Sequence, residues 1–283
     1  MENVAFIINP FSAKKNYEPF FEALKQKIPE AKVYISESIN GTFEFIESHW
    51  ETVDIFVAVG GDGTISTVAQ KIINTDRILA IYPAGSGNGF SKETHFNADL
   101  DELLRKIKAR KIKCVDTFTV NGKLSINVSG TGFDGKVAKE FEKTTRGFKN
   151  YIKVSLKTYL SYKPININFI SQNLQKYSGE YLMLNVANTR QFGNNAYIAP
   201  KASKSDGLVD LVLVRKFPVR YAPVFAYKMF TKKLEDDQYI KYVPVCEANL
   251  EISTTNWHLD GEYTRIESPV RIVVQPKSLN ILQ

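Results

Sequence analysis

"VAVGGDGTIS" occupies residues 57–66 and follows Asp54-Ile55-Phe56. The run is hydrophobic, stops on Gly60-Gly61, and then sets a single acid, Asp62, before Gly63-Thr64. One glycine suffices for a tight turn. Three glycines, an acid and a hydroxyl at the end of an apolar run mark a place where backbone must come close to something charged. Glycine reaches positive φ and lets backbone N–H groups point at an anion. A helix starting here would add the favourable dipole of its N-terminus. Helix capping by Asp62 alone would need only one or two of these residues.

The flanking pattern alternates. "VAFIIN" (4–9), "KVYIS" (32–36), "DIFVAV" (54–59) and "ILAIYP" (78–83) read as strands. Between them, 19–28, 43–50 and 64–74 read as helices, the last with Ile65, Val68, Ile72 and Ile73 on one side. A helix at 99–109 closes the unit. Continuous apolar strands separated by helices predict a parallel sheet with both faces covered. Ligands sit at the carboxyl ends of strands in such sheets, and Gly60 to Thr64 lies at one. A second glycine loop, "PAGSGNGFSKE" from Pro83 to Glu93, follows the fourth strand and opens toward a short helix. Two adjacent strand-end loops are expected to converge on one ligand. Neither carries the Gly-Lys-Ser/Thr of a Walker A loop, and neither is a protein-kinase glycine loop.

After about residue 112 the texture changes. Asn121-Gly122 between alternating segments predicts a hairpin. Strand-like runs recur at 164–171, 180–188, 207–214, 239–245, 248–254 and 270–275, with helices at about 134–143, 148–161 and 218–230. This half reads as mostly antiparallel β. The expected domains are 1–115 and 116–276, with a tail of about 277–283 packing back on the first.

The 283 residues carry 43% hydrophobic and 24% charged side chains, ordinary for a globular protein with a real core. No run of about 18 apolar residues exists, so no membrane span is expected. "MENVAFIINP" does not read as a signal peptide. Cys114 and Cys246 lie far apart, so the expectation is an intracellular chain without a disulfide framework. The net charge of +7 is concentrated. From Lys143 to Gly179 there is no Asp or Glu, and the stretch holds Lys143, Arg146, Lys149, Lys153, Lys157, Lys163 and Lys176. Such a segment fits phosphate groups, anionic lipid or nucleic acid, or is a solvated helix face. Lys149, Lys153 and Lys157 fall on one side of a helix, with Ile152, Leu156, Tyr159 and Leu160 available for another. That apolar side either meets a membrane surface or packs on the second domain.

Other motifs exclude chemistry. "GTGFDG" (130–135) matches Gly-x-Gly-x-x-Gly, but it follows a hairpin and the strand 124–129, and no acid follows at the spacing that binds a ribose. A nicotinamide cofactor is not expected. His49, His95 and His258 show no metal-ligand spacing, and no Gly-x-Ser-x-Gly elbow exists. The late acids are more informative. "SDGLVDL" (205–211) and "HLDGEY" (258–263) set Asp206, Asp210, Asp260 and Glu262 beside glycines. Each Asp-Gly reads alone as a hairpin turn; carboxylates that bind Mg²⁺ or accept a hydroxyl proton would look the same.

Taken in order, Asn9-Pro10-Phe11-Ser12, "GGDGT" (60–64), "PAGSGN" (83–88), "SDGLVDL" and "LDGE" (259–262) resemble the bacterial diacylglycerol-kinase-like lipid kinases, relatives of the sphingosine and ceramide kinases. The "GGDGT" block is shared with NAD kinases; the ordered set is far more specific. The resemblance covers nearly the whole chain. It implies an N-terminal α/β domain with a parallel sheet, a C-terminal antiparallel β-sandwich, and ATP with Mg²⁺ in the cleft between them. It implies that Gly60, Gly61, Asp62, Gly63 and Thr64 hold the phosphates, with Asp62 working with Mg²⁺. Asn9, Ser12 and Lys14 would line the first nucleotide loop, Ser36 would lie near the nucleotide, and Gly85, Ser86 and Asn88 would form the next wall. Arg146 would reach the phosphates and Glu262 the nucleotide or metal. Asp260 would be the base on a lipid hydroxyl, with Asp62 also required. Asp206 with the carbonyls of Ser203 and Leu208 would form a structural Mg²⁺ site. The implied activity is transfer of the γ-phosphoryl group of ATP to a lipid hydroxyl on diacylglycerol or a sphingoid-type lipid.

The chain departs from the family pattern in two places. Ser66 and Thr67 stand where an amide and an acid are usual after "GGDGT", and Ala13 stands where the first loop usually has glycine. The alternatives are an NAD kinase-like enzyme and a non-catalytic nucleotide- or lipid-binding regulator. The expected location is cytoplasmic and peripheral to the inner membrane face, with contact through 143–179. Nucleic acid is not an expected partner, and nothing in the sequence fixes an oligomeric state.

Overall fold

The computed structural model describes residues 3–12, 17–144 and 148–283. The chain divides into two compact units, Met1–Val115 with Lys277–Gln283, and Asp116–Pro276.

The first unit is built on four parallel strands. They are β1 (Val4–Ile8), β2 (Lys32–Ile35), β3 (Ile55–Gly60) and β4 (Ile78–Pro83), in the order β2-β1-β3-β4. Helices α1 (Glu18–Lys27), α2 (Ile39–Ser48), α3 (Asp62–Ile72), α4 (Gly89–Glu93) and α5 (Leu100–Ala109) connect and cover them. β1 and β3 are buried at every position, as apolar strands covered on both faces must be. α2 begins at Ile39, four residues before the hydrophobic pattern, because the Ser38 hydroxyl caps it by accepting from Gly41 N at 2.9 Å. The register sets the site. Ile8 pairs with Ile35 and with Val59, and Gly60 pairs with Pro83. The chain therefore leaves all four strands at one level, just before Asn9, Ser36, Gly61 and Ala84.

An ion pair under this sheet gives a pH prediction. Arg110 Nη2 donates to Asp54 Oδ2 at 2.7 Å, as does Asn3 Nδ2. The Arg110 hydrogen bond, then the Asn3 one, holds the Asp54 carboxyl below its usual range. A carboxylate lowered on folding stabilises above its unfolded value and loses that contribution as pH falls through its folded value. Asp54 is partly exposed, so solvent screening keeps the effect below about 1 kcal/mol. Arg110→Ala is expected to lower stability by that amount at pH 7. In denaturant titrations the deficit should begin to shrink as pH falls below about 4 and vanish only below the lowered folded value.

The chain passes between the units through β5 (Ile112–Val120) and β16 (Val270–Leu282). In the first unit Asn280 and Ile281 of β16 pair parallel with Ile78 and Leu79. The second unit adds β6 (Lys123–Ser125), β7 (Val128–Gly132), α6 (Phe133–Phe141), α7 (Phe148–Ser161), β8 (Ile165–Phe169), β9 (Gly179–Tyr181) and β10 (Met183–Ala187). It continues with β11 (Val209–Val214), α8 (Ala222–Phe230), β12 (Ile240–Val245), β13 (Glu247–Ile252), β14 (Asn256–Leu259) and β15 (Glu262–Arg265). One antiparallel sheet runs β12-β11-β10-β7-β14-β15. The other brings β13 between β8 and the first half of β16. Leu184, Val186, Leu211, Leu213 and Trp257 of the first sheet share one buried core with Phe169, Leu250 and Ile272 of the second. That interior makes the unit a β-sandwich. On the other side of the first sheet, Val212, Val214 and Ile240 are covered by α7, α8 and the loop carrying Phe217.

Both expected hairpin turns form. Asn121 and Gly122 have φ of 48° and 78°, and Asp260 and Gly261 have 50° and 91°. Two successive positive φ values are the type I′ signature, which Asn-Gly and Asp-Gly favour. The expected strand 124–129 is instead broken at Ile126 and Asn127. Their amides leave the ladder and donate to the Asp260 carboxylate.

Candidate functional site

The first unit gathers its glycine loops at the carboxyl edge of the sheet. A Cβ placed on Gly85 would lie 2.5 Å from Gly61 Cα, so the two loop backbones touch where only hydrogen separates them. A Cβ on Gly60 would run into the Thr64 side chain. These glycines are required by close approach. Asp62 joins the loops: its carboxylate accepts from Gly89 N at 3.0 Å and Phe90 N at 3.1 Å. Asn88, with φ of 52°, closes the second loop on itself. Its Oδ1 accepts from Gly85 N at 3.0 Å and its Nδ2 donates to Gly85 O at 2.8 Å. The first strand contributes Asn9, whose Nδ2 donates to Thr64 Oγ1 at 2.9 Å and whose Oδ1 accepts from Phe11 N at 2.9 Å. Ser12 is folded back by its hydroxyl onto Asn9 O at 2.7 Å. Ser36 N donates to Ile8 O at 2.7 Å, and its hydroxyl lies 2.8 Å from Thr42 Oγ1. Ser86 is exposed at the tip of the second loop.

This edge can hold an anion. The first turn of α3 begins at Asp62, and the N–H groups of a helix's first turn, here at Gly63 and Thr64, point outward along the helix dipole. Thr67 is structural here, since its hydroxyl donates to Gly63 O at 2.9 Å, one turn back. The chain thus fills this departure from the family pattern with a bond inside the helix.

The second unit holds Asp260 almost buried in the turn between β14 and β15. Its Oδ1 accepts from Ser125 Oγ at 2.6 Å and Asn127 N at 2.9 Å, and its Oδ2 from Ile126 N at 3.1 Å. Ser129 Oγ bridges to Ser125 Oγ at 2.7 Å and accepts from Asp260 N at 3.3 Å. Glu262 follows on β15 and is exposed.

Beside this turn lies a buried group that the sequence pattern does not single out. "GTGFDG" here ends β7 and starts α6, an antiparallel strand leading into a helix, so it is no dinucleotide loop. Asp134 of that motif is buried and accepts from Asn185 Nδ2, and its Oδ2 lies 3.2 Å from His258 Nε2. Gly130 admits this carboxylate, because a Cβ there would collide with it. His258 is two residues before Asp260 and lies 3.3 Å through Nδ1 from Gly261 N. The signal was the acid inside the glycine motif, which a cofactor-loop reading discards.

The expected Mg²⁺ loop contains a third acidic group. Asp206 Oδ1 accepts from Leu208 N at 3.1 Å, and Gly207 N donates to Asp116 Oδ2 at 2.7 Å. Burial, and then the charge of Asp206, pushes the Asp210 carboxyl up to about 6. Acids that repel one another in an all-oxygen loop fit a hard divalent cation. Among the described residues, no cluster of three or more His, Cys, Asp or Glu is placed to hold a metal by side chains alone. A site here would rest on Asp206 with backbone oxygens. Lys14, expected in the first nucleotide loop, and Arg146, expected at the phosphates, lie outside the described residues.

A parallel α/β unit with strand-end glycine loops, followed by an antiparallel β-sandwich, is the two-domain architecture of the diacylglycerol-kinase-like fold. Residues 3–120 match the diacylglycerol kinase catalytic domain, and residues 127–283 match the YegS C-terminal NAD kinase beta sandwich-like domain. The chain is 24% identical over 275 residues to a diacylglycerol kinase of Bacillus subtilis, covering 93% of this chain and 90% of that one. A solved diacylglycerol kinase structure from Bacillus anthracis superposes with a TM-score of 0.74 at 19% identity, covering 99% of this chain and 96% of the other. The chain belongs to the diacylglycerol-kinase-like lipid kinase family. No helix among the described residues is long and apolar enough to cross a membrane.

Proposed function

We propose that the protein transfers the γ-phosphoryl group of ATP to the free hydroxyl of a lipid, diacylglycerol or a sphingoid-type lipid. The observation that carries this reading is the contact of Gly61 with Gly85, tied by Asp62, at the carboxyl edge of the parallel sheet. It presents a row of amides where a triphosphate would lie.

Phosphoryl transfer asks a protein mainly to position reactants and offset charge. The α3 amides from Asp62 to Thr64 would hold phosphate oxygens. Asn9, Ser12, Ser36, Gly85, Ser86 and Asn88 would shape the nucleotide pocket around them, and Arg146, Lys14 and Glu262 would add charge contacts. Asp62 keeps the two loops in register. Mg²⁺ bound with ATP would neutralise the β- and γ-phosphate oxygens. A second Mg²⁺, held by Asp206 and the carbonyls of Ser203 and Leu208, would relieve the repulsion between Asp206 and Asp210 and stiffen the loop before β11. Asp260 would take the proton of the lipid hydroxyl, and the buried Asp134–His258 pair would steady the turn that carries it. The acid-free segment 143–179 would meet the membrane face on the cytoplasmic side.

Radiolabelled ATP and Mg²⁺ with a panel of diacylglycerol, a sphingoid base and a long-chain alcohol, run beside NAD, tests the reading. Label should enter one lipid class and not NAD, and chelation of Mg²⁺ should stop it. Label on NAD would establish the NAD kinase-like alternative. ATP binding without product would establish a regulator.

A further inference from the structure

We infer that the second unit docks on an anionic lipid bilayer through two helices, α7 and α8, which present apolar stripes inside a basic margin. The sequence left open whether the apolar side of α7 is buried. Among the described side chains of α7 only Tyr159 is buried: it stacks on Phe217 at 5.4 Å and its hydroxyl donates to Phe217 O. Ile152, Leu156 and Leu160, spaced by four, are 41%, 61% and 72% exposed. Residues at that spacing share one helix face, so the stripe is continuous.

The pattern of α8 is the same, and no motif announced it. Phe225 also stacks on Phe217, at 5.1 Å. Val224, Tyr227 and Phe230, spaced by three, are 43%, 58% and 38% exposed. No residue of α8 is fully buried. A surface helix ordinarily turns its polar side outward; α8 turns valine, tyrosine and phenylalanine outward. Both helices are braced on one aromatic cluster, and Lys216 Nζ donates to Tyr162 O, tying the loop before α8 to the end of α7. Neighbouring exposed apolar groups of this size mark an interaction surface.

Charge selects the occupant. Lys153 and Lys157 stand beside the α7 stripe in a segment without acids. Lys216 and Arg220 precede α8, and Lys232 and Lys233 follow it, all exposed. Of the acids that come next, Asp237 is engaged with Lys228 and Tyr221 and Asp236 with Lys241, and Glu235 stands exposed against the four basic residues. Apolar side chains ringed by lysine and arginine match the boundary between acyl chains and anionic headgroups. Docking here rests on the lipid-kinase reading only for its purpose, because it needs no nucleotide.

Flotation of the whole protein, without ATP, on vesicles of phosphatidylglycerol mixed with phosphatidylcholine tests the inference. The protein should float with these vesicles, and far less with phosphatidylcholine alone. Leu156→Ser with Leu160→Ser, and separately Val224→Ser with Tyr227→Ser, should each weaken binding about tenfold. Lys153→Gln with Lys157→Gln should weaken it about 25-fold and flatten its salt dependence, each lysine contributing about fivefold. Melting curves should stay unchanged. Leu160→Trp and Val224→Trp give an independent reading: each should shift its fluorescence to the blue on anionic vesicles and be quenched by brominated lipid. Failure of the wild-type protein to float overturns the inference. So does an α8 pair that changes nothing, or a dimer in sedimentation that the serine variants dissolve. Phosphorylation of a short-chain soluble lipid, measured in the same variants, should persist. Its absence in the wild-type protein would sink the kinase reading without touching the docking result.

Discussion

Asp260→Asn is expected to lower kcat by about 10²- to 10⁴-fold, the usual contribution of a positioned base, with the KM for ATP nearly unchanged. Asparagine is the conservative probe because it tolerates the left-handed backbone at φ of 50°. Its side-chain oxygen can keep the contacts from Ser125 Oγ and Asn127 N. Its amide group would then face Ile126 N, where the carboxylate now accepts a hydrogen bond. That mismatch should cost about 1–3 kcal/mol of stability, measurable in a melt. A fall in kcat far beyond any loss of folded protein assigns Asp260 to proton removal. A fall of less than about tenfold makes it only the pin of its turn. Ser125→Ala separates the two roles further, since it removes one anchor and leaves the carboxylate intact. It should reduce kcat much less than Asp260→Asn.

The fold was legible wherever the information is local. The four apolar strands and their helices follow from periodicity, and the turns at Asn121-Gly122 and Asp260-Gly261 follow from residues that accept positive φ. Strand-end glycines located the loops because close backbone approach leaves glycine as the fitting residue. What escaped depends on distant partners. Asp134 meets Asn185 and His258, which lie 51 and 124 residues away, and no spacing rule connects them. The strand around Ile126 and Asn127 breaks because Asp260, more than 130 residues on, recruits their amides. Asp62 looked like a group aimed at metal or acceptor, yet both its oxygens first hold the start of α4. For α7, periodicity defined two faces but not which one the sheet would cover. That was decided by Phe217, which captures Tyr159 and leaves the leucines outside.

Gly85→Ala is expected to lower kcat/KM for ATP by about 100-fold while the chain stays folded. The φ of Gly85 is not in the left-handed region, so alanine meets no backbone strain there. Its difficulty is space. The new Cβ would lie 2.5 Å from Gly61 Cα and 2.7 Å from Asn88 Oδ1, inside the range any real contact occupies. Asn88 could rotate away, but then Gly85 would lose both hydrogen bonds that close its loop. Gly61 cannot yield alone, because Gly60 O accepts from Ala84 N at 2.8 Å and Gly61 O accepts from Ile65 N at 3.1 Å. The loops must therefore move apart, by about 1 Å to restore an ordinary carbon contact, which costs about 1–3 kcal/mol as overpacking. A shift of that size at phosphate-binding amides is large against the tolerance of a transfer reaction. Gly87→Ala is the control, since its Cβ would lie 3.6 Å from Asp62 Oδ2, an ordinary contact. Calorimetric titration with ATP should show binding retained in Gly87→Ala and lost or strongly weakened in Gly85→Ala. Equal affinity in the two variants would remove the nucleotide from this edge of the sheet. The contact between Gly61 and Gly85 would then be a matter of folding alone.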